Sequence, residues 1–331
     1  MDNVAALSDR QRNELFSETA AAMNTVPAIV EKDFWVVWVL DKLFGHDQLK
    51  SILQFKGGTS LSKVYNVIGR FSEDIDLILD WRLVTGENPE LPRKNKTQQN
   101  KFNEKVNLEA QVYIREALLP LISDVLKPYC KCVLDEKDPH AIKVAYPALN
   151  QSGYLRPEIL LEIGPLASWT PSAVFEVASY AAQYFPNVFG RVSCEVPTIL
   201  AKRTFWEKAT ILHQEAHRAP EKAMPPRYSR HYYDLALMAQ SAIKDDALAD
   251  MGLLQEVVAF KQQFYPSAWS RYELAQPGSL RLVPSDSRLN EIASDFGRMQ
   301  EMIFAKQQSL DEILETLMAL QDEINEARSK A

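Results

Sequence analysis

The sequence is poor in the features that would place it outside the ordinary globular class. It has only 3 cysteines. Cys130, Cys132 and Cys194 are too few and odd in number for a disulfide framework, and Cys130-Lys131-Cys132 has no second ligand pair at zinc-site spacing, so all three read as free thiols. No segment approaches the roughly 20 apolar residues that span a bilayer. The start, Met1-Asp-Asn-Val-Ala-Ala-Leu-Ser8, lacks the basic head and apolar run of a signal peptide, and a cytoplasmic location is expected. There is no excess of positive charge: the formal net charge of -7 argues against a protein that coats nucleic acid non-specifically. The sequence contains no G-x-S-x-G elbow, Walker A loop or dinucleotide fingerprint, which removes serine hydrolases, P-loop enzymes and Rossmann dehydrogenases. Internal repeats and low-complexity tracts are also missing.

What is present is an apolar fraction of 46% and a charged fraction of 24% over 331 residues, enough for one large domain or two of roughly 150 residues each. Ser8-Asp9-Arg10-Gln11 has the form of a capping box opening a helix, and Asp33-Phe-Trp-Val-Val-Trp-Val-Leu40 is apolar almost all round, which predicts a core helix. Ile52-Leu-Gln-Phe55 and Ile75-Asp-Leu-Ile-Leu79 read as strands, joined through Gly57-Gly58 and a helical turn over 61–65. Phe102, Val106, Tyr113, Ala117 and Leu121 predict a long amphipathic helix. Three further strands are expected over 141–146, 158–163 and 192–196. From Thr198 the pattern turns helical. Leu289, Ile292, Phe296, Met299 and Ile303, then Leu310, Ile313, Leu317, Leu320 and Ile324, predict two packed helices, with a capping box at Ser309-Leu-Asp-Glu312. The expected organisation is a mixed α/β domain over 1–197 and a helical domain over 198–331. One local basic strip, Arg93, Lys94, Lys96, Lys101 and Lys105, is opposed only by Glu104. It reads as a solvated loop and helix start, or as a face for nucleic acid.

Asp74 and Asp76 lie two apart on a strand, so their side chains leave the same face, where two carboxylates repel unless paired or bridged by a cation. Hard oxygen ligands suit Mg²⁺ or Mn²⁺, and a two-ion site steadies both the attacking and the leaving oxygen of phosphoryl transfer. An isolated D-x-D would read as an exposed acidic strand edge, because the pattern is short and common. The preceding Gly57-Gly58-Thr59-Ser60 sharpens the pattern, because glycine lets backbone come close to phosphate. Ser72 offers a hydroxyl to phosphate, or caps a turn. Glu162, in an apolar strand, is the best third carboxylate, with Glu158 on the same face; a salt bridge to Lys143 is the alternative for either. Lys208 lies along a helix face with Phe205, Ile211 and Leu212, either reaching a triphosphate or snorkelling to solvent. Asp234 stands four residues after Arg230 and reads equally as a helical ion pair. His213 and His217 are four apart, but Gln214 stands where a zinc helix would have glutamate.

Four segments together resemble the AbiEii/AbiGii-type nucleotidyltransferase toxins, the toxin halves of bacterial toxin–antitoxin and phage-defence pairs. They are Val30-Glu-Lys-Asp-Phe-Trp-Val36; Lys56-Gly-Gly-Thr-Ser-Leu-Ser-Lys-Val-Tyr65 with Arg70-Phe-Ser-Glu-Asp-Ile-Asp-Leu77; Arg203-Thr-Phe-Trp-Glu-Lys-Ala209; and Arg230-His-Tyr-Tyr-Asp-Leu235. The resemblance implies a polymerase-β-like nucleotidyltransferase fold followed by a helical domain, with Mg²⁺ or Mn²⁺ and a nucleoside triphosphate (NTP) donor. It implies that Gly58 and Ser72 contact phosphate, Asp74 and Asp76 hold metal, Lys208 touches the triphosphate and Asp234 is the essential acid of the last motif. Gly57, Thr59 and Ser60 fall in the same phosphate-facing turn, Glu162 matches less securely, and Asp76 is the candidate to assist deprotonation of the acceptor. Some relatives modify the acceptor end of tRNA, which makes the tRNA 3′ end the expected acceptor and a small antitoxin encoded nearby the expected partner. Two other classes stand beside this reading: a non-catalytic module of the same fold acting through partner contacts, and a metal-dependent hydrolase built on His213 and His217.

Overall fold

A computed structural model describes residues 1–150, 155–304 and 308–326, and divides the chain into two units: Met1–Asn66 with Phe71–Ile199, and Val67–Arg70 with Leu200–Ala331. The four residues 67–70 thus belong with the helical part of the chain although the sequence places them in the N-terminal domain.

The first unit is built on one mixed seven-stranded sheet. Its strands are β1 (Leu53–Lys56), β2 (Ile75–Leu79), β3 (Lys131–Leu134), β4 (Ala141–Ala145), β5 (Glu158–Gly164), β6 (Ser172–Ala178) and β7 (Ser193–Ile199). They lie in the order β3-β4-β5-β2-β1-β7-β6. Five of these are the expected strands. The other two, β3 and β6, are the two edges, and their side chains are largely exposed, so neither carries the apolar alternation that marks a strand in sequence. At the centre β1 and β2 run antiparallel, while β2–β5 and β1–β7 are parallel.

Around the sheet stand helix α1 (Asp9–Met23), opened by the Ser8 capping box, and helix α2 (Pro27–Gly45). As its all-round apolar pattern requires, α2 is enclosed: Phe34, Trp35, Trp38 and Leu40 are among the most buried side chains of the chain. Helix α3 (Gly57–Lys63) begins at the glycines themselves, four residues earlier than expected, so β1 passes directly into it. Helix α4 (Lys96–Tyr113) forms as expected, but its buried stripe runs Phe102, Val106, Ala110 and on through Ile114 and Leu118; Tyr113 is half-buried and Ala117 exposed. A strict spacing of four drifts around a 3.6-residue helix, and a π-helical turn over Ile114–Leu118 absorbs the drift.

The second unit is helical, with no named strand among the described residues. Its main helices are α5 (Ala201–Ala216), α6 (Ser229–Ala239), α7 (Met251–Phe264), α8 (Leu289–Met299) and α9 (Leu310–Glu326). Helix α6 is central, packing against α5, α8 and α9. The three-four spacing of α9 buries Ile313, Leu317, Leu320 and Ile324, and Ser309 with Glu312 closes the expected capping box. Among the described residues no helix is long and apolar enough to cross a membrane.

Candidate active site

The centre of the sheet brings the glycine turn and the carboxylates together. Gly57 has φ of +84°, and a Cβ placed on it would lie 1.9 Å from Oδ2 of Asp76. A side chain there is excluded twice, by backbone conformation and by the carboxylate pressed against it. The contact follows from strand pairing, since Lys56 stands opposite Asp76 and Gly57 is the next residue.

From Phe71 to Leu77 buried and half-buried positions alternate. Phe71, Glu73, Ile75 and Leu77 turn inward, and Ser72, Asp74 and Asp76 are the half-buried ones. On the neighbouring strand Glu162 is in parallel register with Asp76, so Lys56, Asp76 and Glu162 form a row across three strands. Glu158 lies four residues before Glu162 and approaches Arg156 at 3.9 Å. Lys143 pairs with Asp135 at 2.9 Å, and Glu158 adds to the negative charge acting on its ammonium. Among the described residues no three His, Cys, Asp or Glu side chains gather closely enough to hold an ion as they stand. The donors the register does bring side by side are carboxylate oxygens, the set that Mg²⁺ and Mn²⁺ prefer, and the missing Cβ of Gly57 is what lets the Asp76 carboxylate lie where it does.

Thr59 ties the two motifs. Its Oγ1 donates to the Asp74 carbonyl and lies 3.0 Å from Ser72 Oγ. Ser60 is fully buried and donates to the Gly57 carbonyl at 2.8 Å. These two hydroxyls are therefore committed within the fold, leaving backbone as what Thr59 and Ser60 present to a ligand.

Three residues quoted in the resemblance without a role prove to be buried charges on α2. Glu31 accepts hydrogen bonds from the amides of Leu149 and Asn150, each at 2.8 Å. Lys32 donates to Glu73 at 2.6 Å and to the Arg156 carbonyl at 3.1 Å. Asp33 accepts the Tyr180 amide at 2.6 Å and forms an ion pair with Lys63 at 2.6 Å; Lys63 Nζ also lies 3.8 Å from the centre of the Tyr180 ring. Burial pushes the Asp33 carboxyl above the usual carboxylate range, although Lys63 opposes the shift. The sequence signal was available: three consecutive charges opening a helix that is otherwise apolar all round.

In the helical unit Lys208 does not snorkel. It is 6% exposed, and its Nζ donates to Asp234 Oδ2 at 2.8 Å. Asp234 is held by Arg70 through two hydrogen bonds of 2.7 and 2.8 Å, in place of the expected pairing with Arg230. Burial alone would raise the Asp234 carboxyl, but Arg70 and Lys208 outweigh it and hold the group well below the carboxylate range. Burial draws the Lys208 ammonium below the lysine range, Asp234 resists and Arg70 adds to the shift. His231, whose Nδ1 is 3.5 Å from Lys208 Nζ, is drawn well below the ordinary histidine range by burial and then by Lys208. Arg70 escaped sequence reasoning because its partner is 164 residues away.

The zinc-hydrolase alternative fails on geometry. His213 is fully buried, with Nε2 3.0 Å from the Arg271 carbonyl and Nδ1 accepting the Arg281 amide at 3.1 Å, so both ring nitrogens are occupied by backbone. His217 Nδ1 turns back to the His213 carbonyl at 2.8 Å. Of the basic strip, Arg93 lies over the Phe102 ring at 3.7 Å, while Lys94, Lys96, Lys101 and Lys105 remain exposed.

A family model described as "Nucleotidyl transferase AbiEii toxin, Type IV TA system" matches residues 38–316, most of the chain. No curated protein sequence matches. Two solved structures are similar: MenT4, a nucleotidyltransferase toxin from Mycobacterium tuberculosis H37Rv, at 16% identity over 93% of this chain and 99% of that one with a TM-score of 0.44, and JHP933 from Helicobacter pylori, at 13% identity over 88% and 90% with a TM-score of 0.43. At such scores the assignment rests on the family match, which covers the glycine turn, both aspartates, Glu162, Lys208 and Asp234. This chain belongs to the AbiEii family, the nucleotidyltransferase toxins of type IV toxin–antitoxin systems.

Proposed function

We propose that the chain transfers a nucleotide from an NTP to an acceptor hydroxyl with release of pyrophosphate, at the centre of the sheet. The observation that carries this reading is the apposition of Gly57 and Asp76, which joins a phosphate-facing turn to the carboxylate row. Asp74, Asp76 and Glu162 would hold Mg²⁺ or Mn²⁺, and the bound ion would supply Lewis-acid stabilisation of phosphate oxygens. Gly57 and Gly58 let backbone approach the triphosphate, with the backbone of Thr59 and Ser60 and the Ser72 hydroxyl beside them. Asp76 accepts the proton of the attacking hydroxyl. Lys208 offsets triphosphate charge, and Asp234 acts by holding the Lys208 ammonium in place.

The acceptor we propose is the 3′ end of tRNA. The exposed lysines at positions 94, 96, 101 and 105 support it, because they offer a strip of positive charge on a chain that is acidic as a whole. A cognate antitoxin is the proposed partner, and the cytoplasm the proposed site of action. Labelling of total RNA with each radiolabelled NTP in turn tests the reading: it predicts label on tRNA with one NTP or a small subset, and label on protein or on no macromolecule would contradict it. Lys101→Glu with Lys105→Glu should cut tRNA labelling at least tenfold and flatten its dependence on salt, with self-association and melting unchanged.

A further inference from the structure

Glu31, Lys32 and Asp33 are consecutive on a helix, so their side chains leave it about 100° apart and reach three different neighbours. All three are no more than 1% exposed. Charges buried so deeply are costly unless each is paired, and apolar residues of the same volume would support the core as well or better. Stability alone does not account for them; the segments they grip do.

Lys32 holds Glu73, which stands between Ser72 and Asp74. Asp33 holds Lys63, the last residue of the helix that opens at Gly57. The two gripped segments are then joined to each other, because Thr59 donates to the Asp74 carbonyl. A ring of polar contacts results: from Asp33 to Lys63, through α3 to Thr59, on to Asp74 and Glu73, and back through Lys32 to α2. Glu31 adds a third anchor, the chain at 149–150 that leads toward β5 and its Glu162. The triplet lies outside the residues matched by the family model.

We infer that Glu31-Lys32-Asp33 is the positioning frame of the active site: Lys32 sets the Ser72–Asp76 segment through Glu73, and Asp33 sets the glycine turn through Lys63. This rests on the reading of those two segments as the nucleotide-transfer site. The frame is divided by residue, and its two halves fail separately.

Two nearly isosteric neutral pairs separate positioning from core support: Lys32→Met with Glu73→Gln, and Asp33→Asn with Lys63→Met. Hydrogen exchange is followed by mass spectrometry on the full chain. The first pair should speed exchange of peptides covering 72–76 at least tenfold while 57–63 stays near wild type, and the second pair should do the reverse; protection over β4 should be retained in both. In the transfer assay the first pair should lower kcat at least tenfold with KM for NTP within threefold, and the second should act mainly by raising KM. Exchange within twofold of wild type at the gripped segment, or protection lost equally across β4 and β5, overturns the inference. Should the wild-type chain transfer no nucleotide, the proposed function fails, and the exchange pattern still decides whether the triplet positions these segments.

Discussion

At the scale of single residues the site is defined by what cannot be enlarged. Gly57 carries both a left-handed backbone and the Asp76 carboxylate against its Cα. Gly57→Ala should therefore abolish transfer, by at least a hundredfold, because Asp76 must move. The left-handed conformation adds a stability cost of about 1 kcal/mol. Circular-dichroism melting beside the transfer assay checks both; an alanine variant with wild-type turnover would show that the carboxylate position is not critical. Much at this scale was legible. Asp74 and Asp76 could be placed on one face because a strand has a period of two, and the half-buried positions of Ser72, Asp74 and Asp76 follow that period. What was not legible were partners: Lys32 and Glu73 are 41 residues apart, Arg70 and Asp234 are 164 apart, and local periodicity carries no information over such distances. The exposed basic strip was visible, yet its first member, Arg93, proved to be stacked on Phe102, a contact no count of charges reveals.

At the scale of elements, sequence reasoning succeeded where an element is buried on a defined face and failed at edges. The all-round apolar α2, the central strands and the capping boxes of α1 and α9 all form. The two missed strands are the sheet edges, where one row of backbone groups and most side chains face solvent. One helix start is supplied from elsewhere in the chain: Asp295 of α8 accepts the Ser229 amide at 2.9 Å, the Ser229 hydroxyl at 2.6 Å and the Arg227 amide at 2.8 Å, which caps the beginning of α6. Asp295→Ala should lower the stability of the helical unit by about 2 kcal/mol, the cost of stripping a carboxylate from buried donors. Urea unfolding measures it, and a loss below the error of extrapolation would contradict the assignment of Asp295 as that cap.

At the scale of the whole molecule three buried groups of the helical unit act in the same direction as the pH falls. His213 is lowered to about 4 by burial, His231 is lowered as well, and Asp234 is held down by Arg70 and Lys208. The unfolded chain takes up protons at these two histidines near pH 6.5, whereas in the folded chain they do so only at lower pH, so the stability they contribute is full above about pH 6.5 and falls as the pH drops toward 4. Below the ordinary aspartate range Asp234 extends the same loss. The urea midpoint should therefore decline from pH 7 to pH 4.5, and His213→Gln, which keeps one donor and one acceptor, should flatten that decline in part while His231 keeps the remainder. A midpoint independent of pH over this range would contradict the neutral, backbone-bonded His213.

The family itself was within reach of the sequence because its motifs are short and local, whereas metal, acceptor and partner are properties of ligands that neither periodicity nor fold records. The central claim, nucleotide transfer at Asp74 and Asp76, is tested most directly by one measurement: incorporation of α-³²P-labelled NTP into total RNA with Mg²⁺ or Mn²⁺, by the wild-type chain and by Asp74→Asn and Asp76→Asn. The account predicts label on RNA with the wild type, a loss of at least a hundredfold in each variant, and melting of the variants no lower than wild type. Equal labelling by either variant, or none by the wild type under any NTP and metal, would contradict it.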